Sequence, residues 1–195
     1  MKKLLLLIFV FVSSVSQAQD TVRIKKAIFE VLYSQKLEQP LWLKYRSTNL
    51  PTLVNRGSMD FYTEPGVKTS DGADYYANVW DKGHLAPAAT FSDSQDNLKQ
   101  TFTYLNSMLQ HQDLNRGEWR LLEEQERKWD NIEPLTIIIK TIFNPGIKLP
   151  TGATIPTLIE KHIYFEKSNK WKCYRFKNEK PITSWVKYEV SCTSH

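Results

Sequence analysis

Trp80 to Arg127 reads WDKGHLAPAATFSDSQDNLKQTFTYLNSMLQHQDLNRGEWRLLEEQER, and this stretch decides the fold. Around Val79 to Leu85, and again around Thr101 to Asn106, β-branched and aromatic residues mix in short runs, which predicts two strands. From Asn115 to about Trp129 the pattern becomes helical, with Trp119, Leu122 and Trp129 marking a buried face and Pro134 lying beyond the end. Four-residue steps along a helix drift by only about 40°, because about 3.6 residues make a turn. Asn115, Trp119, Glu123 and Arg127 therefore share one broad stripe. The order strand, connection, strand, helix places His84 at a strand end and Asn115 at the opening of a helix facing it. A helix N-terminus attracts phosphate oxygens through its free amides and dipole.

These residue types suit metal-assisted phosphodiester chemistry. Such a reaction needs an activated water, a cation to neutralise developing charge, and donors that hold the phosphate in line. A neutral imidazole accepts a proton near neutrality, which makes His84 the candidate general base. Mg²⁺ is a hard cation that keeps most of its waters and can be held by one protein oxygen, such as the carbonyl of an asparagine side chain. Plainer readings exist for the same residues. Asn115 suits a helix N-cap, which is compatible with binding a metal. Glu123 and Arg127 suit an exposed i,i+4 pair. Lys82, Arg116 and Arg120 suit solvated charges, and His111 and His162 read as surface residues. The histidines and cysteines are too scattered for a zinc site.

The quoted stretch resembles the DNA/RNA non-specific endonuclease family of ββα-metal nucleases, which includes mitochondrial endonuclease G. A lone D-x-G-H recurs by chance, but Asp81-Lys82-Gly83-His84 followed by L-N-R-G-x-W-x-x-L-E from Leu114 to Glu123 is specific. The resemblance implies His84 as general base, Asn115 as the metal ligand, Glu123 as the acid that orients a metal-associated water, and Arg127 as a basic group serving the scissile phosphate. It further implies Asn106 as a residue positioning His84 or the water shell, and Gln110 as a site-lining glutamine. Arg56, in N-R-G-S-M-D-F-Y-T-E-P, matches an upstream phosphate-binding arginine. Lys82 stands where the family usually has Arg, replacing a planar fork with a point charge, and Leu109 stands where Pro commonly precedes the glutamine. Arg116 is a further candidate substrate contact.

From the resemblance follows an α+β fold, with a mixed, largely antiparallel sheet carrying a ββα-metal (His-Me finger) motif. The implied activity is Mg²⁺-dependent cleavage of DNA and RNA, with Mn²⁺ as a possible substitute and 5′-phosphate ends as product. A catalytically weakened nucleic-acid-binding member of the same fold is the alternative, and a purely structural secreted domain a third. No obligate protein partner is inferred.

Lys2 and Lys3 precede an apolar run from Leu4 to Val12, and Ser16-Gln17-Ala18 offers a processing site, so residues 1–18 read as a secretory signal peptide. That run is too short for a membrane-spanning helix, which needs about 20 residues. No cysteine follows Ala18 directly, so no membrane anchor is expected. Export to the periplasm or beyond follows. Removing Lys2 and Lys3 takes the net charge from +5 to +3, a modest excess that does not by itself identify a polyanion as partner.

The remaining chain, 19–195, reads as a single endonuclease domain of ordinary size. Cys173 and Cys192 in an exported chain suggest a disulfide stabilising by about 3 kcal/mol, with two buried free thiols as the alternative. Ala27 to Ser34, Leu41 to Ser47, Leu135 to Ile142, His162 to Phe165, Trp171 to Phe176 and Ser184 to Val190 read as strands. Ser94 to Gln100 reads as a short helix capped by Ser92 or Asp93. Leu50 to Thr69 and Pro145 to Pro156 read as loops. The basic, aromatic tail from Lys161 to Lys187 reads as a half-exposed strand surface.

Overall fold

The computed structural model describes residues 20–192, so the expected signal peptide lies outside the described residues. Among the described residues eleven strands form: β1 (Thr21–Lys25), β2 (Phe29–Ser34), β3 (Gln39–Ser47), β4 (Trp80–His84), β5 (Ser107–His111), β6 (Leu135–Ile142), β7 (Ile147–Lys148), β8 (Thr154–Ile155), β9 (Leu158–Phe165), β10 (Lys170–Lys177) and β11 (Glu189–Val190). Seven of them make one antiparallel sheet in the order β1-β2-β3-β6-β9-β10-β11. β4 and β5 form a separate antiparallel ribbon. The helices are α1 (Gln95–Thr101), the single turn α2 (Gln112–Leu114) and α3 (Arg120–Asp130), with a π-helical turn at Asn115–Trp119 joining the last two.

β6 shows why the ribbon and helix sit where they do. Leu135, Ile137, Ile139 and Thr141 are buried while the alternate residues are half-buried, so the central strand turns one face to the core. The same face carries Phe29, Val31 and Tyr33 from β2, Leu43 and Tyr45 from β3, Ile159 and Ile163 from β9, and Tyr174 and Phe176 from β10. Against it pack Trp119 and Leu122 from the helical segment, with Leu105, Met108 and Leu114 from around the ribbon. A fully buried side chain of this kind stabilises by about 1.5–3 kcal/mol. The ββα unit is thus pressed onto one face of the sheet.

The α+β expectation and the antiparallel sheet hold, and several local expectations are corrected. The first hairpin turns earlier than expected: Gln39 and Pro40 lie inside β3, opposite a register shift between Leu32 and Tyr33, a place where a residue without an N–H is tolerated. Thr101 to Asn106 is not a strand. It is the end of α1 followed by a 3₁₀ turn at Tyr104–Asn106, and the strand begins at Ser107. Ser94, rather than Ser92 or Asp93, caps α1 by accepting from Asn97 N at 3.2 Å.

Near the C-terminus, Ser184 to Val190 is mostly a 3₁₀ turn, with only Glu189–Val190 extended. Pro145 to Pro156 contains the small β7–β8 hairpin. Cys173 and Cys192 are disulfide-bonded, with Cα atoms 5.3 Å apart. His162 is buried, with its Nε2 3.0 Å from Glu160 Oε2, not a surface residue. Lys161, the first residue of the supposedly half-exposed tail, is fully buried.

Candidate active site

In the ribbon, Asp81 pairs with Gln110, Gly83 with Met108 and His84 with Ser107. Gly83 is required by its neighbour: a Cβ there would lie 2.2 Å from Gln110 Oε1 and 2.6 Å from Gln110 Cβ. Directly after His84 the chain is clamped by Asn106. Its Oδ1 accepts from Ala86 N at 2.7 Å, and its Nδ2 donates to Ala86 O at 2.9 Å and Thr101 O at 2.8 Å. Leu85 N donates to the Asn106 carbonyl at 3.0 Å. Asn106 therefore fixes the backbone that carries His84, and its amide is committed to that work.

The His84 ring lies 4.8 Å from Phe61 and 5.1 Å from Phe102, centroid to centroid. Its Nε2 is buried and has no hydrogen-bond partner among the described residues. Burial, reinforced by the positive Arg56, lowers its pKa from 6.5 to about 3, so the imidazole is neutral at pH 7. A buried ring nitrogen without a partner is costly unless something fills the space beside it.

Asn115 faces the same cavity from the π-helical turn. It is not the N-cap, because the helical run begins earlier: His111 Nδ1 caps α2 by accepting from Asp113 N at 3.2 Å. The stripe expected from Asn115 to Arg127 is offset by the π turn, where Gly117 adopts φ −105° and ψ −111°. π turns inside helices mark functional positions often enough to be informative. Asn115 Nδ2 donates to Asp81 Oδ2 at 2.9 Å, which leaves its carbonyl oxygen as the group offered to the cavity.

A cavity of about 420 Å³ brings together His84, Asn115, Lys82 and Arg56, with Asp60, Phe61, Tyr75, Trp80 and Asp81 completing its wall. Lys82 Nζ donates to Asp60 Oδ1 at 2.9 Å and lies 5.5 Å from the rings of Phe61 and Tyr104. Burial opposes its charge, but hydrogen bonds to Asp60 and Tyr104 prevail and its pKa is raised. The Arg56 guanidinium stands 4.9 Å over Phe102, with Nε donating to Met59 O at 3.1 Å.

The other sequence candidates lie outside this wall. Arg116 is exposed and makes a two-point pair with Asp81, at 2.8 and 2.7 Å. Gln110 is fully buried behind Gly83, with both amide atoms unpartnered among the described residues. Glu123 and Arg127 lie on α3 and neither lines the cavity. Arg127 Nη1 is buried and unpaired, and Glu123 lies 4.0 Å from Lys161 Nζ. Burial lifts the Glu123 pKa to about 7 against the lowering pull of Lys161, with Glu126 adding to the rise.

Sequence reasoning gave no role to Asp81, although it opens the D-x-G-H string, nor to Asp60 and Phe61, which follow Arg56 in its own string. Lys161 carried no signal at all.

The donor set fits a lightly ligated hard cation. Among the described residues no cluster of three His, Cys, Asp or Glu is placed to hold a metal, whereas an oriented Asn carbonyl opposite an unpaired imidazole leaves room for a cation that retains its waters.

A two-stranded ribbon closed by a histidine, followed by a helical segment whose asparagine shares its cavity, defines a ββα-metal nuclease fold. A family model described as DNA/RNA non-specific endonuclease matches residues 10–194; the chain belongs to that family. Among curated proteins it is 32% identical over 96 residues to mitochondrial nuclease EXOG of Danio rerio, covering 47% of this chain and 28% of that protein. It is 32% identical over 107 residues to mitochondrial endonuclease G of Bos taurus, covering 52% and 36%. With the nuclease of Serratia marcescens it shares 28% identity over 159 residues, covering 72% and 58%. The matches thus span between 28% and 58% of the length of these three relatives. A chain in the solved EndoG/EndoGI complex superposes with a TM-score of 0.77 at 20% identity, covering 87% of this chain and 80% of that one, which shows the shared fold.

Proposed function

We propose that the chain is an exported, Mg²⁺-dependent, sugar-non-specific endonuclease hydrolysing phosphodiester bonds of DNA and RNA, with Mn²⁺ able to substitute. One juxtaposition supports this above all: His84, with a buried and unpaired Nε2, and Asn115, with its amide oriented by Asp81, line one cavity with Lys82 and Arg56. His84 takes the proton from a water whose oxygen attacks phosphorus, and the bond to the 3′ oxygen breaks to leave a 5′-phosphate. A phosphate seated beside the imidazole raises its proton affinity from the low value of the empty pocket.

Lys82 and Arg56 bind the phosphate at the cavity wall, and Arg127 is the further basic group that serves it. Asn115 is the residue that would hold Mg²⁺, which when bound neutralises charge developing on phosphorus and the leaving oxygen. Contacts of this kind fall on the backbone, so little sequence preference and a loss of activity with rising salt follow. The charged N-terminus with its apolar run, together with the Cys173–Cys192 bridge, supports export to an oxidising compartment.

The engagement of Lys82 by Asp60 favours one second reading, a weakened member that binds nucleic acid without cutting it. Plasmid DNA and RNA incubated with the mature protein and Mg²⁺ separate the two. Cleavage abolished by EDTA and by His84→Ala is expected; cleavage that persists in His84→Ala refutes the assigned base, and binding without product at any Mg²⁺ or Mn²⁺ concentration favours the second reading.

A further inference from the structure

β9 places a lysine where its pattern calls for an apolar side chain. Lys161 shares the inward face with Ile159 and Ile163 and is 0% exposed. Its ammonium donates to Glu126 Oε1 at 2.6 Å, and the other oxygen of Glu126 accepts from Tyr45 Oη at 2.7 Å. The ammonium also lies 4.1 Å from the centroid of the Trp119 ring and 4.0 Å from Glu123 Oε1.

Burying an ammonium with its partner rarely stabilises more than apolar side chains of the same volume, so stability alone does not account for Lys161. Its neighbours do. Glu123 and Glu126, three residues apart, lie on one face of α3, and their like charges repel unless a cation stands between them and the sheet.

We propose that Lys161 is a positioning residue for the phosphodiester chemistry: a cation fixed in the sheet that, shared between Glu126 and Glu123 and seated on Trp119, sets the place and charge of Glu123. This rests on the nuclease reading and on Glu123 taking part in the reaction, the role that the family resemblance of the Leu114–Glu123 string implies. The charged and titratable groups around Glu123 are Lys161 from β9, Glu126 and Arg127 from α3, and Tyr45 from β3, with Tyr174 of β10 beside Lys161 in register. Glu123 is held near neutrality by opposing influences, burial and Glu126 on one side and Lys161 and Arg127 on the other. Removing either partner of the Lys161–Glu126 pair therefore shifts Glu123 in opposite directions.

Carboxyl NMR titration of Glu123 in the folded, metal-free protein reads this directly, alongside the pH dependence of Mg²⁺-supported cleavage. Lys161→Met is expected to raise the Glu123 titration, and with it the acid limb of the rate profile, by about one pH unit or more. Glu126→Gln keeps the shape, exchanges one of the two acceptor oxygens for a donor nitrogen and removes the negative charge that competes with Glu123 for Lys161, and is expected to lower both. A merely structural lysine predicts no such pair of opposed shifts.

A Glu123 titration at the same pH in wild type and both variants overturns the proposal. If Lys161→Met does not fold, Glu126→Gln decides alone: a downward shift supports the proposal and an unmoved one overturns it. Glu123→Gln tests the underlying assignment separately, because full activity in that variant removes Glu123 from the reaction whether or not its carboxyl is coupled to Lys161.

Discussion

Asp81 holds Asn115: its Oδ2 accepts from Asn115 Nδ2 at 2.9 Å, across from the first strand of the ribbon to the π-helical turn. The same carboxylate takes two further hydrogen bonds from Arg116, so one side chain ties the ribbon to the helical segment. The relationship orients the Asn115 amide with its nitrogen toward Asp81 and its carbonyl toward the cavity. A carboxylate supporting a ligand in this way is worth about 10–100-fold in metal affinity or activity. Asp81→Ala is accordingly expected to raise the Mg²⁺ concentration for half-maximal cleavage by about that factor, while far-UV circular dichroism stays unchanged. An unaltered Mg²⁺ titration in Asp81→Ala would show that Asn115 needs no such support.

Gly83 has no room for a side chain, because Gln110 occupies the position a Cβ would take. Gly83→Ala is expected to cost about 1–3 kcal/mol in urea unfolding, as overpacking commonly does, and to reduce cleavage by displacing the adjoining His84. Adding Gln110→Ala removes the 2.2 Å clash with Oε1 but leaves the 2.6 Å approach of Cβ. The double variant should recover part of the lost stability. Full stability in Gly83→Ala alone contradicts the packing described here.

His84 and Glu123 give opposite pH dependences to folding. The folded pKa of His84, about 3, is below its ordinary 6.5. Between those values the unfolded chain binds the extra proton, so the stability tied to His84 is complete above 6.5 and is lost as pH falls toward 3. The folded pKa of Glu123, about 7, is above its ordinary 4.5, so its contribution is complete below 4.5 and is lost as pH rises through 7. Urea unfolding in EDTA from pH 4 to 8 should show His84→Asn gaining on wild type as the solution becomes more acidic, and Glu123→Gln gaining on wild type toward pH 8. A pH-independent difference for both variants would place these side chains in contact with solvent.

Lys82 is engaged by Asp60 at 2.9 Å, through a carboxylate that is itself largely exposed. A phosphate must compete with that carboxylate for the ammonium. Asp60→Asn is expected to lower KM for DNA several-fold at low salt with little change in kcat, an advantage that shrinks as salt rises. Lys82→Arg, which supplies a planar two-point donor, is expected to raise kcat/KM as well. A higher KM in Asp60→Asn would show instead that Asp60 organises Lys82 for substrate.

The sequence was most legible where the chemistry-bearing residues lie close along the chain. Val79 to Leu85 gave β4 nearly to the residue, Leu135 to Ile142 gave β6, and the helical spacing after Asn115 gave α3. Thr101 to Asn106 misled because its β-branched and aromatic residues serve burial in a turn: Thr103 and Asn106 satisfy nearby backbone groups, and that competition between side chain and ladder is invisible to a propensity count. Asn115 likewise suits a helix start by type, yet the run had begun three residues before it, under a cap supplied by His111.

By itself the sequence determined the principal strands and the helix after Asn115, because strand and helix periodicities act over a few turns of chain, while the antiparallel α+β class, the ββα unit and the pairing of His84 with Asn115 followed from the resemblance that its dense local motif carries. Only the tertiary structure decided what each polar group is committed to. Asn106 and Gln110 went to the scaffold, Arg56 and Asp60 came in from a distant loop to meet Lys82 and His84, and Lys161 took an apolar position beneath α3. Those outcomes depend on burial and on partners far away in sequence, where the cost of leaving a charge or an amide unpaired is set by the whole packed molecule.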